Sequence, residues 1–360
     1  MKKGAKKIAF CITCMNRLQH LQQTLEKNIQ DNYLPDEVEF VLLDYNSTDG
    51  LEQWIQQNMQ SYIDSGILIY YKTVEPEHYF RSHSRNVAFR LANASILCNL
   101  DADNFLGKGF ASFMIKEFNT NDNVFFSSNA TGGDIVGRVC VRKEDFMAIK
   151  GYDEDIQGYG YEDTDLFIRL EKLGLKHKQF NNPDFYHCIR HSNEYRVKDE
   201  FMAKNTEKTY ISYVNPYTSR ILLMCKDFTF AQYTLIDNRQ LNLYVGFSED
   251  ENQTLDEKKQ IVLGADSQKG RWRQENDNII LIQNNHTTRF KQEDLEFPFQ
   301  HQTYYVVTNN DLQTEIILLL SFAINLNYVR QSKEKPVNSK GFGKGTVFKN
   351  FSVNKAINLL

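Results

Sequence analysis

The chain has 360 residues, with 42 Lys and Arg against 46 Asp and Glu, and 41% of its residues are hydrophobic. That length suits two domains with a core each, and the aromatic share of 13% excludes a disordered chain. The net charge of −4 excludes a general polyanion binder, so no nucleic-acid partner is expected.

The opening MKKGAKKIAFCITCMNR imitates a secretory signal. Its apolar stretch ends after about eight residues, at Asn16 and Arg17, with no small-residue cleavage site, so IAFCIT (8–13) reads as a first strand. Cys11 and Cys14 form a CxxC, but positions three apart in a strand face opposite sides, which argues against a zinc or redox role. The six cysteines form no disulfide framework, and a reducing, cytoplasmic setting is expected. The runs VEFVLLD (38–44), GILIYY (66–71) and ASILCNLD (94–101) read as further strands. Helical patterns fill the gaps, over Arg17 to Gln30, Gly50 to Tyr62 and Ser82 to Ala92. This rhythm predicts an α/β half with a mainly parallel sheet and helices on both faces. Ligands of such sheets sit at the carboxyl ends of the strands, where Asp44 and Asp101 lie.

LLDYNSTDG (42–50) ends its strand in Asp44, whose carboxylate can accept hydrogen bonds from a base or a ribose, while Asp49 suits a helix cap. In ILCNLDADNF (96–105) a buried strand would not tolerate carboxylates inside it, so Asp101 and Asp103 are expected just beyond its end. One residue between them lets both serve one side of a turn, and a hard divalent ion held also by substrate phosphates needs little more. Next comes GYGYEDTDLFIRL (158–170), a helix start with surplus acid. On a helical wheel Asp163 falls within the sector of Phe167, Leu170 and Leu173, Glu162 at its edge, and Asp165 away from it, paired with Arg169. In FYHCIRHSNEY (185–195), His187 and His191 are four apart, either as cation ligands or as structural histidines.

After residue 205 the rhythm changes to short alternating stretches, ILLMC, FAQYTLI, NLYVGF, NIILIQ and YYVVT, with ENDN and QNNHTT as hairpin turns. A helical run from Leu312 to Tyr328 follows. Its apolar part, IILLLSFAINL (316–326), is too short for a membrane span. From Arg330 a tail carries Lys333, Lys335, Lys340, Lys344, Lys349 and Lys355 against Glu334. The expectation is a domain over residues 1–205 and a second, mainly-β domain over 206–360 with one helix. The basic tail is either solvated or in peripheral contact with an anionic inner-membrane surface. Trp272 could stack a sugar or be buried.

Together the segments CITCMNRLQHLQQTL, LLDYNSTDG, FRSHSRNVAFRLA, NLDADNF, TGGDIVGRVCVRKEDFMAIKGYDEDIQGYGYEDTDLFIRL and HCIRHS resemble, in order, the inverting GT-A-fold glycosyltransferases of the β-1,4-galactosyltransferase and chondroitin-polymerase-like branch. The resemblance spans residues 6 to about 200. It implies a GT-A domain that moves a hexose or N-acetylhexosamine from a UDP-sugar donor to a saccharide or lipid-linked acceptor, in bacterial surface polysaccharide synthesis, with Mn2+ or Mg2+. It further implies that Asp44 contacts the uridine and that Arg81 and Arg85 lie near the nucleotide. Asp101 would meet the nucleotide sugar or a metal-bound water, and Gly132 and Gly133 would let the backbone approach the donor sugar. Asp103 and His191 would bind the metal. Cys188 falls where some members carry a methionine ligand, and His187 could substitute for it.

The family commonly has Gly-Trp-Gly-Gly-Glu-Asp where this chain has GYGYED, so Tyr159 would stack on a sugar and Tyr161 adds bulk at a glycine position. Asp163 is the expected base and Glu162 the acceptor of a substrate hydroxyl. A sugar nucleotidyltransferase is the competing enzyme; it wants a Gly-rich basic loop after the first strand, which CITCMNR lacks. A carbohydrate-binding module in the C-terminal half is the non-enzymatic alternative.

Overall fold

A computed structural model describes residues 6–128, 135–215, 218–236, 268–284, 286–332, 335–352 and 354–360. The chain divides into two compact units: residues 1–157, 161–191 and 334–360 form one, and residues 158–160 and 192–333 the other. The division differs from the expected boundary at 205: the second unit begins at 192, and the last segment belongs to the first.

In that unit the chain runs through β1 (Lys6–Cys14), α1 (Leu18–Asp31), β2 (Val38–Tyr45), α2 (Leu51–Asn58), α3 (Gln60–Asp64), β3 (Leu68–Thr73), α4 (Arg81–Leu91) and β4 (Ala94–Asn99). It continues with β5 (Asn104–Phe105), α5 (Phe110–Thr120), β6 (Val124–Ser128), β7 (Cys140–Arg142), α6 (Lys143–Ala148), α7 (Glu162–Lys172), β8 (Lys176–Phe180) and β9 (His187–Cys188). Strands β3, β2, β1 and β4 pair in parallel at the centre. Antiparallel β7 joins β4 and β6 on one flank, so the sheet is mixed rather than mainly parallel. The reading frame of β1 explains its place: Ile8, Phe10, Ile12 and Cys14 face one buried cluster, while Ala9 and Cys11 face the other. A strand buried on both faces carries an unbroken apolar run, as β1 and β2 do. Cys11 and Cys14 are free thiols on opposite faces. The helix expected over 50–62 is two helices, because Met59 leaves the helical region between them (φ −115°, ψ 8°).

The second unit holds α8 (Asn193–Val197), α9 (Phe201–Asn205), β10 (Thr206–Asn215), β11 (Thr218–Cys225), β12 (Thr229–Ile236), β13 (Gln268–Glu275), β14 (Asn278–Gln283), β15 (His286–Lys291), β16 (Glu296–Phe299), β17 (Gln302–Val306) and α10 (Asn310–Gln331). Its eight described strands form one sheet in the order β15-β14-β13-β12-β11-β10-β17-β16, antiparallel at each pairing. The turn at ENDN joins β13 to β14, with Asn276 at φ 51°, a conformation Asn tolerates better than most residues. NLYVGF lies outside the described residues. Trp272 is a core residue, its indole N–H donating to the Cys225 carbonyl at 2.8 Å.

Helix α10 is 22 residues long, more than its apolar run alone suggests, and by length and composition it could cross a membrane. Its packing explains the apolar character. Ile316, Leu320 and Ala323 pack against the sheet residues Ile211, Ile221 and Leu223, while Ile317 and Leu318 pack with Val197. These contacts bury part of its apolar surface, 44% of its most apolar 18-residue stretch.

The end of the chain adds β18 (Gly345–Lys349) and β19 (Ala356–Leu359) to the first unit. β18 pairs antiparallel with β3, and the nine-stranded order is β19-β18-β3-β2-β1-β4-β7-β6-β8. The segment expected as a solvated basic tail therefore covers a sheet edge. Phe342 and Val347 are buried, while Lys335, Lys340, Lys344, Lys349 and Lys355 stay exposed.

Candidate active site

The strand ends and the start of α7 meet at one side chain. Arg85, on the inner face of α4, is 2% exposed, and its guanidinium reaches three carboxylates. Nη1 donates to Asp163 Oδ1 at 2.9 Å and to Glu162 Oε1 at 3.1 Å, and Nη2 donates to Asp101 Oδ1 at 3.3 Å. Arg81, one turn earlier on α4, lies 3.6 Å from Glu162 Oε1. The Tyr152 ring sits below the Arg85 guanidinium, 5.4 Å away, so the cation is held by three anions and an aromatic face. Five residues from three separate segments are thus brought together as the sequence motifs suggested: Arg81, Arg85, Asp101, Glu162 and Asp163.

The charges of this cluster decide its protonation. Burial pushes the Asp163 carboxyl up to about 6 against the downward pull of Arg85, with Glu162 and Asp101 adding repulsion. Asp101 goes the other way: burial raises it, but Arg85 and then Arg81 outweigh that and hold it below the usual carboxylate range. Asn99, at the end of β4, supports Asp101 by donating to its Oδ1 at 3.1 Å. Arg85 itself keeps its proton firmly, because Asp163, Asp101 and Glu162 overcome the cost of its burial.

Helix α7 presents these acids differently from the helical wheel. Glu162 and Asp165 are both buried, and the Asp163 side chain keeps 16% exposure. Asp165 pairs with Arg169 at 2.6 Å as its spacing suggested. The segment at 149–151 also covers that side, since Arg169 donates to the Ile149 and Gly151 carbonyls. A wheel sees only the helix, and here a neighbouring loop supplies the second wall. Tyr161 caps α7 at φ 69°, in the left-handed region where glycine sits with least strain. The glycine that the resemblance places there is therefore explained by backbone geometry.

Gly132 and Gly133 lie outside the described residues. The glycine that meets the cluster is Gly137, which the motif reading overlooked. A Cβ there would stand 3.0 Å from Arg85 Nη2, 3.1 Å from Asp163 Oδ2 and 3.4 Å from Asp101 Oδ2. Its carbonyl also accepts from Asn99 Nδ2 at 2.9 Å. The available signal was GDIVGRV, where a glycine precedes the strand that pairs with β4. Tyr152 was likewise overlooked, as its role appears only when α4 is laid over it.

Asp44 is bonded within its own sheet and turn. It is fully buried, its Oδ1 accepts from the Ser47 N–H at 2.7 Å and its Oδ2 from the Tyr70 hydroxyl at 2.7 Å. Burial raises its pKa, restrained by the Tyr70 bond. The carboxylate thus organises the turn after β2. Tyr159 is likewise engaged by neighbouring side chains. In the second unit its ring meets Phe322 edge-on at 5.4 Å and lies under the Arg196 guanidinium at 5.3 Å, and Arg196 Nη1 donates to its hydroxyl at 2.6 Å. The Gly160 carbonyl beside it accepts from Asn325 of α10 at 2.9 Å. Tyr159 thus anchors the glycine loop to helix α10.

For the cation, Asp103 and His191 stand together, Nε2 to Oδ2 at 2.8 Å, with the backbone of Ile189 bonded to the Asp103 carbonyl at 2.8 Å. Adjacent ligands of an octahedral ion with ligand distances of 2.0–2.1 Å lie about 3 Å apart, so this spacing fits two neighbouring positions of a hard divalent ion. His187 is exposed and in register with Phe105, and Cys188 with Asn104. Among the described residues no third His, Cys, Asp or Glu forms a metal-holding group with the pair. Such an ion would take its remaining ligands from substrate phosphates or water.

Residues 127–192, which carry Gly137, Tyr152, α7 and His191, match the family model described as the N-terminal domain of galactosyltransferase. No curated protein matches the chain in sequence. Among solved structures, the mannosyltransferase PcManGT of Pyrobaculum calidifontis, in complex with GDP-Man and Mn2+, is 18% identical over 49% of this chain and 55% of its own, with a TM-score of 0.42. S. aureus TarS (residues 1-349) is 15% identical over 46% of this chain and 55% of its own, at 0.39. The catalytic domain of Drosophila beta1,4galactosyltransferase 7, with xylobiose, is 15% identical over 54% of this chain and 74% of its own, at 0.38. The chain thus spans about half the length of the first two. These likenesses assign no residue of this chain a role. The likeness to the galactosyltransferase segment is confined to residues 127–192.

Proposed function

We propose that this enzyme moves a hexose or N-acetylhexosamine from a UDP-sugar to a saccharide hydroxyl with inversion at the anomeric carbon, and that Asp163 is its base. The observation that carries the reading is the Asp163 carboxyl itself. Burial pushes it up to about 6 in a charge cluster at the head of α7, inside the galactosyltransferase segment. A carboxylate with that pKa is about nine-tenths ionised at pH 7 and still accepts a proton more readily than an ordinary aspartate.

The step balances simply. As the acceptor oxygen forms its bond to the anomeric carbon, its proton passes to Asp163. The bond from that carbon to the diphosphate oxygen breaks, and the electron pair leaves with the diphosphate. Arg85 fixes Asp163 through Oδ1 and leaves Oδ2 beside Gly137, where the bare α-carbon makes room. Arg81, on the same face of α4, is the cation assigned to the donor diphosphate, since Arg85 is committed to three carboxylates. Glu162 is the acceptor of a substrate hydroxyl. Asp103 and His191 would hold a divalent cation, Mn2+ or Mg2+, which neutralises charge on the departing diphosphate when bound. The donor and acceptor classes, including lipid-linked saccharides of a bacterial surface polysaccharide, follow the resemblance.

A panel of UDP-sugars, assayed for transfer and hydrolysis with manganese, tests the class and names the donor. Calorimetry with UDP is expected to show manganese-dependent binding that Asp103→Ala abolishes. Metal-independent binding, unchanged in that variant, would sink the Asp103–His191 assignment.

A further inference from the structure

The segment from 335 to 352 takes no part in the proposed chemistry, yet it is bonded to the pieces of backbone that hold the arginines. Asn338 donates its amide to the carbonyls of Lys150 and Tyr152, both at 2.7 Å, and accepts from the Glu154 N–H at 3.2 Å. Gly343 lies against α4 so closely that a Cβ would stand 2.8 Å from the backbone carbon of Asn86. Its N–H donates to Glu154 Oε1 at 2.6 Å, which also accepts from Asn86 Nδ2 at 2.8 Å. Asn86 in turn bonds both backbone groups of Tyr152, at 2.8 and 2.9 Å. Asn86 follows Arg85 on the helix, and Tyr152 is the ring beneath the Arg85 guanidinium.

Covering the edge of β3 requires only the pairing of β18. The extra bonds form a separate device, in which one side chain (Asn338), one carboxylate (Glu154) and one close backbone contact (Gly343) lock α4 to the 150–154 loop. Further along, Phe351 stacks on Tyr70 at 5.0 Å, the residue whose hydroxyl holds Asp44. The same segment thus touches the supports of both strand-end acids.

We propose that residues 338–343 are a positioning strap for the donor-side arginines. They hold α4 and the Tyr152 loop in one arrangement, so that Arg85 stays among Asp101, Glu162 and Asp163, and Arg81 stays beside Glu162. Asn338, Gly343 and Glu154 are positioning residues. That these arginines serve a nucleotide-sugar site rests on the function proposed above; that the strap places them does not.

The test uses the full chain with three variants. Asn338→Gly keeps the left-handed backbone (φ 47°) and removes the amide. Gly343→Ala drives a Cβ into α4. Glu154→Gln keeps an acceptor oxygen for both donors and serves as the conservative control. Carbon NMR of labelled aspartate follows Asp163, which faces Arg85 and Arg81 from α4, Glu162 from its own helix, Asp101 after β4, and Tyr152 from the loop. When α4 loosens, the cation retreats, and the Asp163 titration moves up by about one pH unit in the first two variants but not in Glu154→Gln. UDP affinity with manganese falls about tenfold in parallel. If Gly343→Ala does not fold, Asn338→Gly decides alone. An unchanged Asp163 titration in folded Asn338→Gly overturns the strap. A shifted titration in a chain whose parent does not bind UDP overturns the proposed function and leaves the strap standing.

Discussion

Asp44 lies at the end of β2 and Asp101 just beyond β4, the two parallel neighbours of β1, and the fold treats them in opposite ways. Asp44 is bonded to a tyrosine hydroxyl and a backbone amide, with its pKa raised by burial. Asp101 faces Arg85, with its pKa lowered, and its side chain keeps 30% exposure. Position at a strand end therefore makes a carboxylate available without deciding its use. What decides is whether the element packed above the strand brings a cation or a neutral donor. Helix α4 brings Arg85 to Asp101, and β3 brings Tyr70 to Asp44.

The contrast can be broken from the Asp101 side with the largest effects. Asp163→Asn is expected to reduce turnover by about 10²–10⁴-fold with donor binding retained, as for loss of a general base. The same change should stabilise the fold at pH 7. The folded pKa is raised, to about 6, so folding favours the protonated carboxyl. The parent then loses stability as pH rises from about 4 to 6, by up to about 3 kcal/mol. Thermal melts should show the variant ahead at pH 7 and level with the parent at pH 4. Identical pH dependence in both would refute the raised pKa. Turnover of the parent should rise with pH through about 6.

Arg85→Met should cost about 3–5 kcal/mol in denaturant unfolding, since three carboxylates lose their buried cation. A small loss would mean that water already screens the cluster. Tyr70→Phe tests the Asp44 side: it removes one donor from a buried acceptor and should cost about 1–3 kcal/mol. Its stability penalty should shrink at low pH, where Asp44 is protonated. If Tyr70→Phe instead abolishes UDP binding while stability holds, Asp44 belongs to the nucleotide site after all. The smallest effect is expected of Tyr161→Gly. Relief of the left-handed strain offsets the extra freedom of glycine in the unfolded chain, leaving stability within about 0.5 kcal/mol. Any change in acceptor affinity then reports on the ring itself.

Much of the site was legible in one dimension. The strands ending near Asp44 and Asp101, the paired acids of GYGYED, and the two arginines of FRSHSRNVAF are local patterns of apolar runs, caps and charge. Asp165 and Arg169 pair as their spacing implies. What the sequence did not show is the contacts with distant segments. The inward turn of Asp44 depends on Tyr70, 26 residues on. Tyr159 depends on Arg196 and Phe322, and Gly137 matters only because Arg85 and Asp163 converge on it.

The fate of the chain end makes the same point. Its lysines read as a solvated basic tail, because charge counts are blind to the alternation that buries Phe342 and Val347. The amino-acid sequence by itself determined which residues could carry the chemistry, through residue type, periodicity and the order of strands and helices. The tertiary structure decided which of them share a field. A carboxylate's use depends on the charges and donors within a few ångströms, and those come from elements tens to hundreds of residues away.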